Sequence, residues 1–262
     1  MELVLTVKQP NTYFPTRIPR LWRSWSKVIV VSPHSDDAAF SIGGLLYGLS
    51  EHGIRIEVIT CFSKSGYSQF SPPLTTDEAT SLRKMEDERF QDVLGRQCQL
   101  SWLDQLDAPL RGYSPYEICG ARAIPDHDSW LVGEIGCRVR ERLEANCALL
   151  APLALGRHID HFIARQSVIP LVRDRSVSAF FYEELPYAAF RPACENQATA
   201  DSLSSEIGGN LSLYELSGTG LGEIKRRAAK CYGSQKEAAM VGAFIDHCGE
   251  RINERVWSVR WP

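Results

Sequence analysis

Two short stretches set histidine beside aspartate: His34-Ser35-Asp36-Asp37, and His158-Ile159-Asp160-His161. An imidazole nitrogen and a carboxylate oxygen can bind one zinc-type cation at about 2.0–2.2 Å, and a neighbouring carboxylate that does not ligate can take a proton from metal-bound water. Each stretch alone has a simpler reading. Free backbone N–H groups favour aspartate at a helix N-terminus, so "HSDD" reads equally well as a cap. His158 and His161 lie one helical turn apart, a spacing that any helix start can show. Together the stretches say more, because three of the six histidines and three aspartates fall in them. His52, His127 and His247 are read as surface or core-edge residues.

Other chemistries fit less well. The eight cysteines are scattered with no C-x-x-C pair, so a metal here has to use histidine and carboxylate. Gly43 and Gly44 come too late, a full turn into the following helix, to form a dinucleotide loop, and the turn itself is acidic and repels phosphate. The two glycines are expected to let that helix pack closely on a sheet. Lys plus Arg is 29 against 32 for Asp plus Glu, a net charge of −3, which excludes a strongly basic nucleic-acid binder and a polybasic membrane patch. No apolar run approaches the roughly 18 residues of a membrane span, and "MELVLTVKQPNTYFP" lacks a basic segment followed by an apolar core. The expectation is a soluble cytosolic protein with reduced thiols.

The positioning elements follow from periodicity. "KVIVVS" (Lys27–Ser32) is a β-branched run of the kind buried on both faces of a parallel sheet. Further strands are predicted over Ile54–Phe62, Cys98–Leu103, Cys147–Pro152 and Ala179–Leu185, and "RVWSVRW" suits a last one. Helices are predicted over Ala38–Glu51, from a cap at Thr76 and Asp77 to Gly95, over Ser129–Glu144, over His161–Val172, and through most of Glu223–Cys248. Residues 1–26 read as an irregular lead-in, with Pro10, Pro15 and Pro19 preventing a long helix. Strands alternating with helices give an α/β fold, a mostly parallel, doubly wound sheet with right-handed crossovers in a single domain spanning 1–262. The core is expected over about 27–190, with a mostly helical part over 221–262. In such sheets the functional crevice lies beyond the carboxyl ends of the strands, and both His/Asp clusters begin there.

With the residues in this order, the chain resembles the LmbE-like, or PIG-L-like, zinc-dependent N-deacetylases. The resemblance runs from about Val28 to the tail. "PHSDDAAFSIGG" matches the family's His–x–Asp–Asp segment with its downstream Gly–Gly, and His158, Asp160 and His161 match its His–x–Asp–His. "LRKMEDERFQDVLG", "LDQLDAPLRGY", "FFYEELPYA" and "YGSQ" resemble further family segments in the same order. The resemblance implies a Rossmann-like fold and hydrolysis of an N-acyl group, usually the acetyl of an amino sugar or its conjugate, in secondary or thiol metabolism. It implies Zn²⁺, or another divalent transition metal, held by His34, Asp37 and His161. Asp36 would be the general base on the metal-bound water. His158 would stabilise the oxyanion or protonate the leaving amine, with Asp160 orienting its ring. Arg83, Asp107 and Arg111 could contact substrate hydroxyls or charge; ordinary surface ion pairs are the alternative for these three.

Two positions depart from the pattern. Many members carry Pro where Ser35 stands and Glu where Ala38 stands, and neither change touches an implied ligand or the base. Selectivity is expected from the polar loop Ser63–Pro73 and from residues 190–220. Two other functions are compatible: a zinc amidase acting on a larger acyl or thiol-conjugate amide, and a sugar-binding or metal-storage module without turnover. Asp36 separates the last from an enzyme, since a binding module could spare it.

Overall fold

The computed structural model describes residues 3–5, 22–68, 73–218, 220–249 and 252–261. Pro10, Pro15 and Pro19, and with them most of the expected lead-in, lie outside the described residues. The strands are β1 (Leu3–Leu5), β2 (Lys27–Ser32), β3 (Arg55–Thr60), β4 (Cys98–Trp102), β5 (Cys147–Pro152), β6 (Ser178–Tyr182), β7 (Asn210–Ser217) and β8 (Asn253–Arg260). The helices are α1 (Asp37–Glu51), α2 (Thr76–Leu94), α3 (Pro115–Ile118), α4 (Ser129–Arg140), α5 (Ile159–Arg173), α6 (Ala193–Ile207), α7 (Leu221–Lys230) and α8 (Lys236–Cys248).

All eight strands join one sheet in the order β1-β7-β8-β6-β5-β2-β3-β4. From β4 to β6 every pairing is parallel, whereas β8 runs antiparallel to both β6 and β7. The chain winds outward from β2 through β3 to β4, then returns to β5 and winds the other way to β6. The winding therefore reverses between β2 and β5, which pair directly, and this is where a parallel sheet opens a crevice. Each of the two His/Asp stretches follows one of these two strands.

Strand alternation splits β2 between two cores. Val28 and Val30 pack with Phe40, Leu46, Phe90 and Tyr232 on one face, while Ile29 and Val31 pack with Leu149, Ile163 and Phe181 on the other. Burial of both faces is why "KVIVVS" carries no polar alternation. No helix among the described residues is long and apolar enough to cross a membrane.

Several elements differ from expectation. The cap of α2 is Thr75 rather than Thr76 or Asp77. Its hydroxyl accepts the Glu78 N–H (3.3 Å) and the Glu78 carboxylate accepts the Thr75 N–H (2.9 Å), a reciprocal box that satisfies two free donors. Helix α4 stops at Arg140, short of Glu144; beyond it Arg142 and Glu144 reach the N-terminal ends of β3 and β2, pairing with Glu57 (3.0 Å) and Lys27 (3.0 Å). The helical tail is broken between α7 and α8, where Ser234 donates to Glu86 from both its N–H (2.7 Å) and its hydroxyl (2.6 Å). Residues 190–220, for which the sequence predicts no element, contain α6 and β7.

The glycine pair serves helix–helix contact as well as contact with the sheet, where a Cβ on Gly44 would meet Glu254 of β8 at 3.1 Å. A Cβ on Gly43 would meet that of Ala228 at 3.1 Å, and one on Gly44 would lie 2.2 Å from Leu221, both on α7. Just ahead of them α1 is interrupted at Ile42 (φ −130°, ψ 20°). Lys225 Nζ donates to the freed carbonyls of Phe40 (2.7 Å) and Ser41 (3.1 Å), and the Glu254 carboxylate accepts the N–H groups of Gly44 (2.8 Å) and Leu45 (2.7 Å). Lys225 and Glu254 are buried and 2.8 Å apart, so one ion pair splints the break.

Candidate active site at the switch between β2 and β5

The loop leaving β2 is tightened by Ser32, whose hydroxyl donates to the His34 carbonyl (2.6 Å) and accepts the Ala38 N–H (3.2 Å). Asp36 occupies the N-cap position of α1, yet its side chain makes no cap hydrogen bond. Capping therefore does not account for Asp36. Asp37 accepts the His34 N–H through Oδ2 (2.8 Å), which folds the loop back and points the same oxygen at two imidazoles.

Asp37 Oδ2 lies 3.2 Å from His34 Nδ1 and 3.2 Å from His161 Nε2. The remaining nitrogen of each ring is held by a further carboxylate: His34 Nε2 by Asp160 Oδ2 (2.9 Å) and His161 Nδ1 by Glu184 Oε1 (3.1 Å). The donor atoms of His34, Asp37 and His161 all lie within 4.8 Å of one another. Two neutral nitrogens and one carboxylate, each ring backed by an acid, are the donors of a three-ligand zinc-type site with an open position. The set fits a divalent ion. A second group, His34, His158 and Asp160, is equally close. Its atoms are engaged, since Asp160 Oδ2 accepts the Ala108 N–H (2.9 Å) and His158 Nδ1 accepts the Asp160 N–H (3.1 Å).

The electrostatics match this division. Burial opposes charge on His34, but its hydrogen bonds to Asp160 and Asp37 outweigh it and hold the ring up at about 9. Burial would raise Asp37, yet the charge and hydrogen bond of His161 hold it well below the carboxylate range. Both shifts mark a place where positive charge is favoured. Asp36 goes the other way: burial pushes its carboxyl up to about 6 against the Arg83 charge, with Asp37 and Glu237 adding to the push. Burial, reinforced by the charges of His161 and His34, drives His158 down to about 3, so its ring is neutral.

Residues 29–172, a little over half of the chain, match the family model described as PIG-L: GlcNAc-PI de-N-acetylase. The chain belongs to the PIG-L family. The 2'-N-acetylparomamine deacetylase of Streptomyces fradiae is 29% identical over 246 residues, which cover 88% of this chain and 81% of that protein. Among solved structures, the zinc-inhibited form of teicoplanin deacetylase Orf2 has a TM-score of 0.67 at 22% identity, over 89% of this chain and 98% of that one. N,N'-diacetylchitobiose deacetylase from Pyrococcus horikoshii has a TM-score of 0.57 at 19% identity, over 94% and 86%. At these identities the structural likenesses establish the shared fold.

In this PIG-L chain a cavity of about 490 Å³ opens over the ligand set, and Asp36, His158, Arg83 and Asp107 also line it. Arg83 is only 6% exposed; it meets Asp36 Oδ1 (3.3 Å) and the Ser65 hydroxyl (3.2 Å), so its guanidinium holds the acid in place. Asp107 lines the wall, with Oδ1 accepting the Leu110 N–H (3.2 Å). Arg111 is not part of the lining. It sits behind His34, with Nη2 2.7 Å from Asp160 Oδ1 and Nε 3.1 Å from Asp128, and both buried carboxylates claim it before a substrate could. Asp160 likewise differs from expectation: its carboxylate serves His34, and what it gives His158 is its backbone N–H.

Glu184, Tyr187 and Glu237 also belong to the site and lie outside the residues expected from the sequence. Glu184 and Tyr187 lie in "FFYEELPYA", where an acid directly after a strand is the signal for Glu184. Tyr187 packs edge-on to His161, with ring centroids 5.4 Å apart. Gly156 makes room for it: at φ +71° it sits in the left-handed region, and a Cβ there would be 2.9 Å from the Tyr187 ring. Glu237 had no signal, because α8 approaches the crevice only through the tertiary fold.

Proposed function

We propose that the chain is a zinc-dependent N-deacetylase that hydrolyses the acetamide of an amino sugar or amino-sugar conjugate. The observation that carries this is the convergence of His34, Asp37 and His161 beside an acid that neither ligates nor caps. His34, Asp37 and His161 would hold the ion. When bound, zinc supplies Lewis acidity and acidifies a coordinated water to about 7.

The chain's own groups then have separable roles. Asp36, raised by burial and steadied by Arg83, takes the proton of the attacking water. Because His158 Nδ1 accepts a backbone N–H, the hydrogen of the neutral ring sits on Nε2. That makes His158 a donor to the developing oxyanion, favoured here over its alternative role as an imidazolium acid. Phe40, Leu185, Pro186 and Tyr187 give the cavity apolar walls. The 2'-N-acetylparomamine and teicoplanin deacetylases support an amino-sugar acetamide as substrate class. The compartment proposed is the reducing cytosol, where Cys61 and Cys147 fill the core as small apolar groups.

A second reading has its own support. Pro109, Pro115, Ile118 and Tyr187 give the cavity an apolar wall that a longer acyl chain or thiol conjugate could occupy. Metal analysis of the purified protein, with acetate release from N-acetyl amino sugars, tests the main proposal. Bound zinc and acetate release lost in His161→Ala are expected; a metal-free protein with no acetate release on any substrate would end it. Faster cleavage of longer acyl chains than of acetyl would favour the second reading.

A further inference from the structure

We propose that a second cavity, beside the catalytic one, binds an uncharged, hydroxyl-bearing ring of the substrate, so that the amino sugar is deacetylated as part of a conjugate of at least two rings. This rests on the deacetylase reading above and narrows its substrate class.

This cavity, of about 270 Å³, lies where β6 and β7 end and β8 begins. Leu185 lines both cavities, and its N–H is held by the Ser41 hydroxyl (3.1 Å). Two adjacent acids divide between them. Glu184 holds His161, whereas Glu183 lines the second cavity and accepts Trp257 Nε1–H (3.0 Å) and an Asn196 Nδ2 hydrogen (2.9 Å). A site for a whole drug-sized ligand takes roughly 300–1,000 Å³, so this smaller one suits a single ring.

Its wall offers hydrogen bonding without spare charge. Asn196 is only 2% exposed, and its Oδ1 accepts no hydrogen bond among the described residues. The reverse setting of the amide would put that oxygen against the Glu183 carboxylate, so Oδ1 is the free atom. Arg191 Nε, also buried, donates to nothing among the described residues. The charges, by contrast, are matched: Arg191 pairs with Glu195 (2.9 Å), Arg255 with Glu215 (2.8 Å) and Glu183 (3.5 Å), and Glu254 with Lys225 (2.8 Å). An ionic group entering here would find its counter-charges already taken, and an apolar one would leave a buried acceptor and donor unmet. A hydroxyl both donates and accepts, so a hydroxylated ring can serve Oδ1 and Nε together. Phe244, Leu185 and Ala188 supply apolar surface for its C–H faces.

The test compares N-acetylglucosamine, a single ring, with N,N'-diacetylchitobiose, which adds a neutral second ring. Wild type is expected to favour the disaccharide in kcat/KM by about tenfold, the scale of one or two net hydrogen bonds. Ala193 is exposed in the first turn of α6 and lines the cavity, so Ala193→Leu narrows it without removing a bond and should cut the ratio by about fivefold. Ala198→Leu, at an exposed position of the same helix outside the lining, should leave the ratio where it was. Equal rates for the two sugars in wild type, or a ratio that Ala193→Leu changes no more than Ala198→Leu does, would overturn the proposal. If no substrate releases acetate, the deacetylase reading fails by itself. The second cavity is then decided by NMR on the Trp257 indole N–H, which reports on Glu183. A shift with cellobiose, two neutral rings without an acetamide, that is lost in Ala193→Leu supports the proposal. No shift, one that persists in Ala193→Leu, or a larger one with glucosamine or glucose 6-phosphate removes it.

Discussion

Glu184 Oε1 lies 3.1 Å from His161 Nδ1, and the same carboxylate accepts the N–H groups of Ala154 (2.7 Å) and Leu155 (3.3 Å). One buried acid thus ties a candidate ligand on α5 to the loop leaving β5. Replacing it with glutamine keeps the shape but removes the charge that orients the ring. Glu184→Gln is expected to weaken zinc binding by roughly 10–100-fold, a usual cost of losing such a partner. Competition with a chromophoric chelator measures this, and an unchanged affinity would show that Glu184 serves only the backbone.

Asp36 is expected to matter to turnover and not to metal binding. Asp36→Asn should lower kcat by about 10²–10⁴-fold, the range attributed to a positioned base, while the protein retains its zinc. Activity and metal content must be measured on the same preparation. Turnover within a few-fold of wild type would remove Asp36 from the role of base.

Asp87, outside the ligand set, gives a pH prediction. Burial pushes its carboxyl up to about 7, although Trp102 (2.7 Å) and Tyr232 (3.0 Å) both donate to it. The folded chain therefore holds this proton more tightly than the unfolded chain. The stabilisation is complete below the ordinary value near 3.8 and is lost as the pH rises through about 7. Asp87→Asn cannot lose a proton, so its stability should decline less between pH 5 and pH 8 than that of wild type. Urea midpoints in the presence of chelator, which removes metal loading as a variable, test this; parallel profiles would contradict it.

The splint in α1 should behave as a buried pair. Lys225→Met leaves Glu254 charged and buried, an expected loss of about 3–5 kcal/mol. Lys225→Met with Glu254→Gln should lose less than the sum of the single changes, because neither member is left charged alone. Additive losses in denaturant titrations would mean that the pair is not coupled.

What could be read in the sequence was local. Strand β2 was legible because burial on both faces leaves an unbroken apolar run, and the histidine pairs because His and Asp seldom cluster so tightly by chance. Arg111 and Arg83 were read alike, as cations near substrate. One faces Asp160 and Asp128 behind the site and the other holds Asp36 at its edge, a difference created by which carboxylates the fold brings up. The break between α7 and α8 depends on Glu86 and Asp87, some 150 residues earlier in the chain, so helical periodicity ran through it unmarked. Strand β7 was missed for the opposite reason. In "NLSLYELS" only Leu211 and Leu213 keep a period of two; Leu216 falls out of it, so no strand pattern stands out.

The position of β8 has a consequence for when the protein can work. Of the eight described strands it is the farthest along the chain, yet it lies inside the sheet between β6 and β7 and carries Glu254 to the break in α1. During synthesis His34, Asp36 and Asp37 leave the ribosome early, followed by His158 and His161, while the splint for the helix they start is still to be made. Until β8 arrives, β6 and β7 also present unpaired edges. A chain truncated before Asn253 would hold every candidate ligand and still lack the strand that steadies them. Competence is therefore expected to appear late, with the emergence of β8.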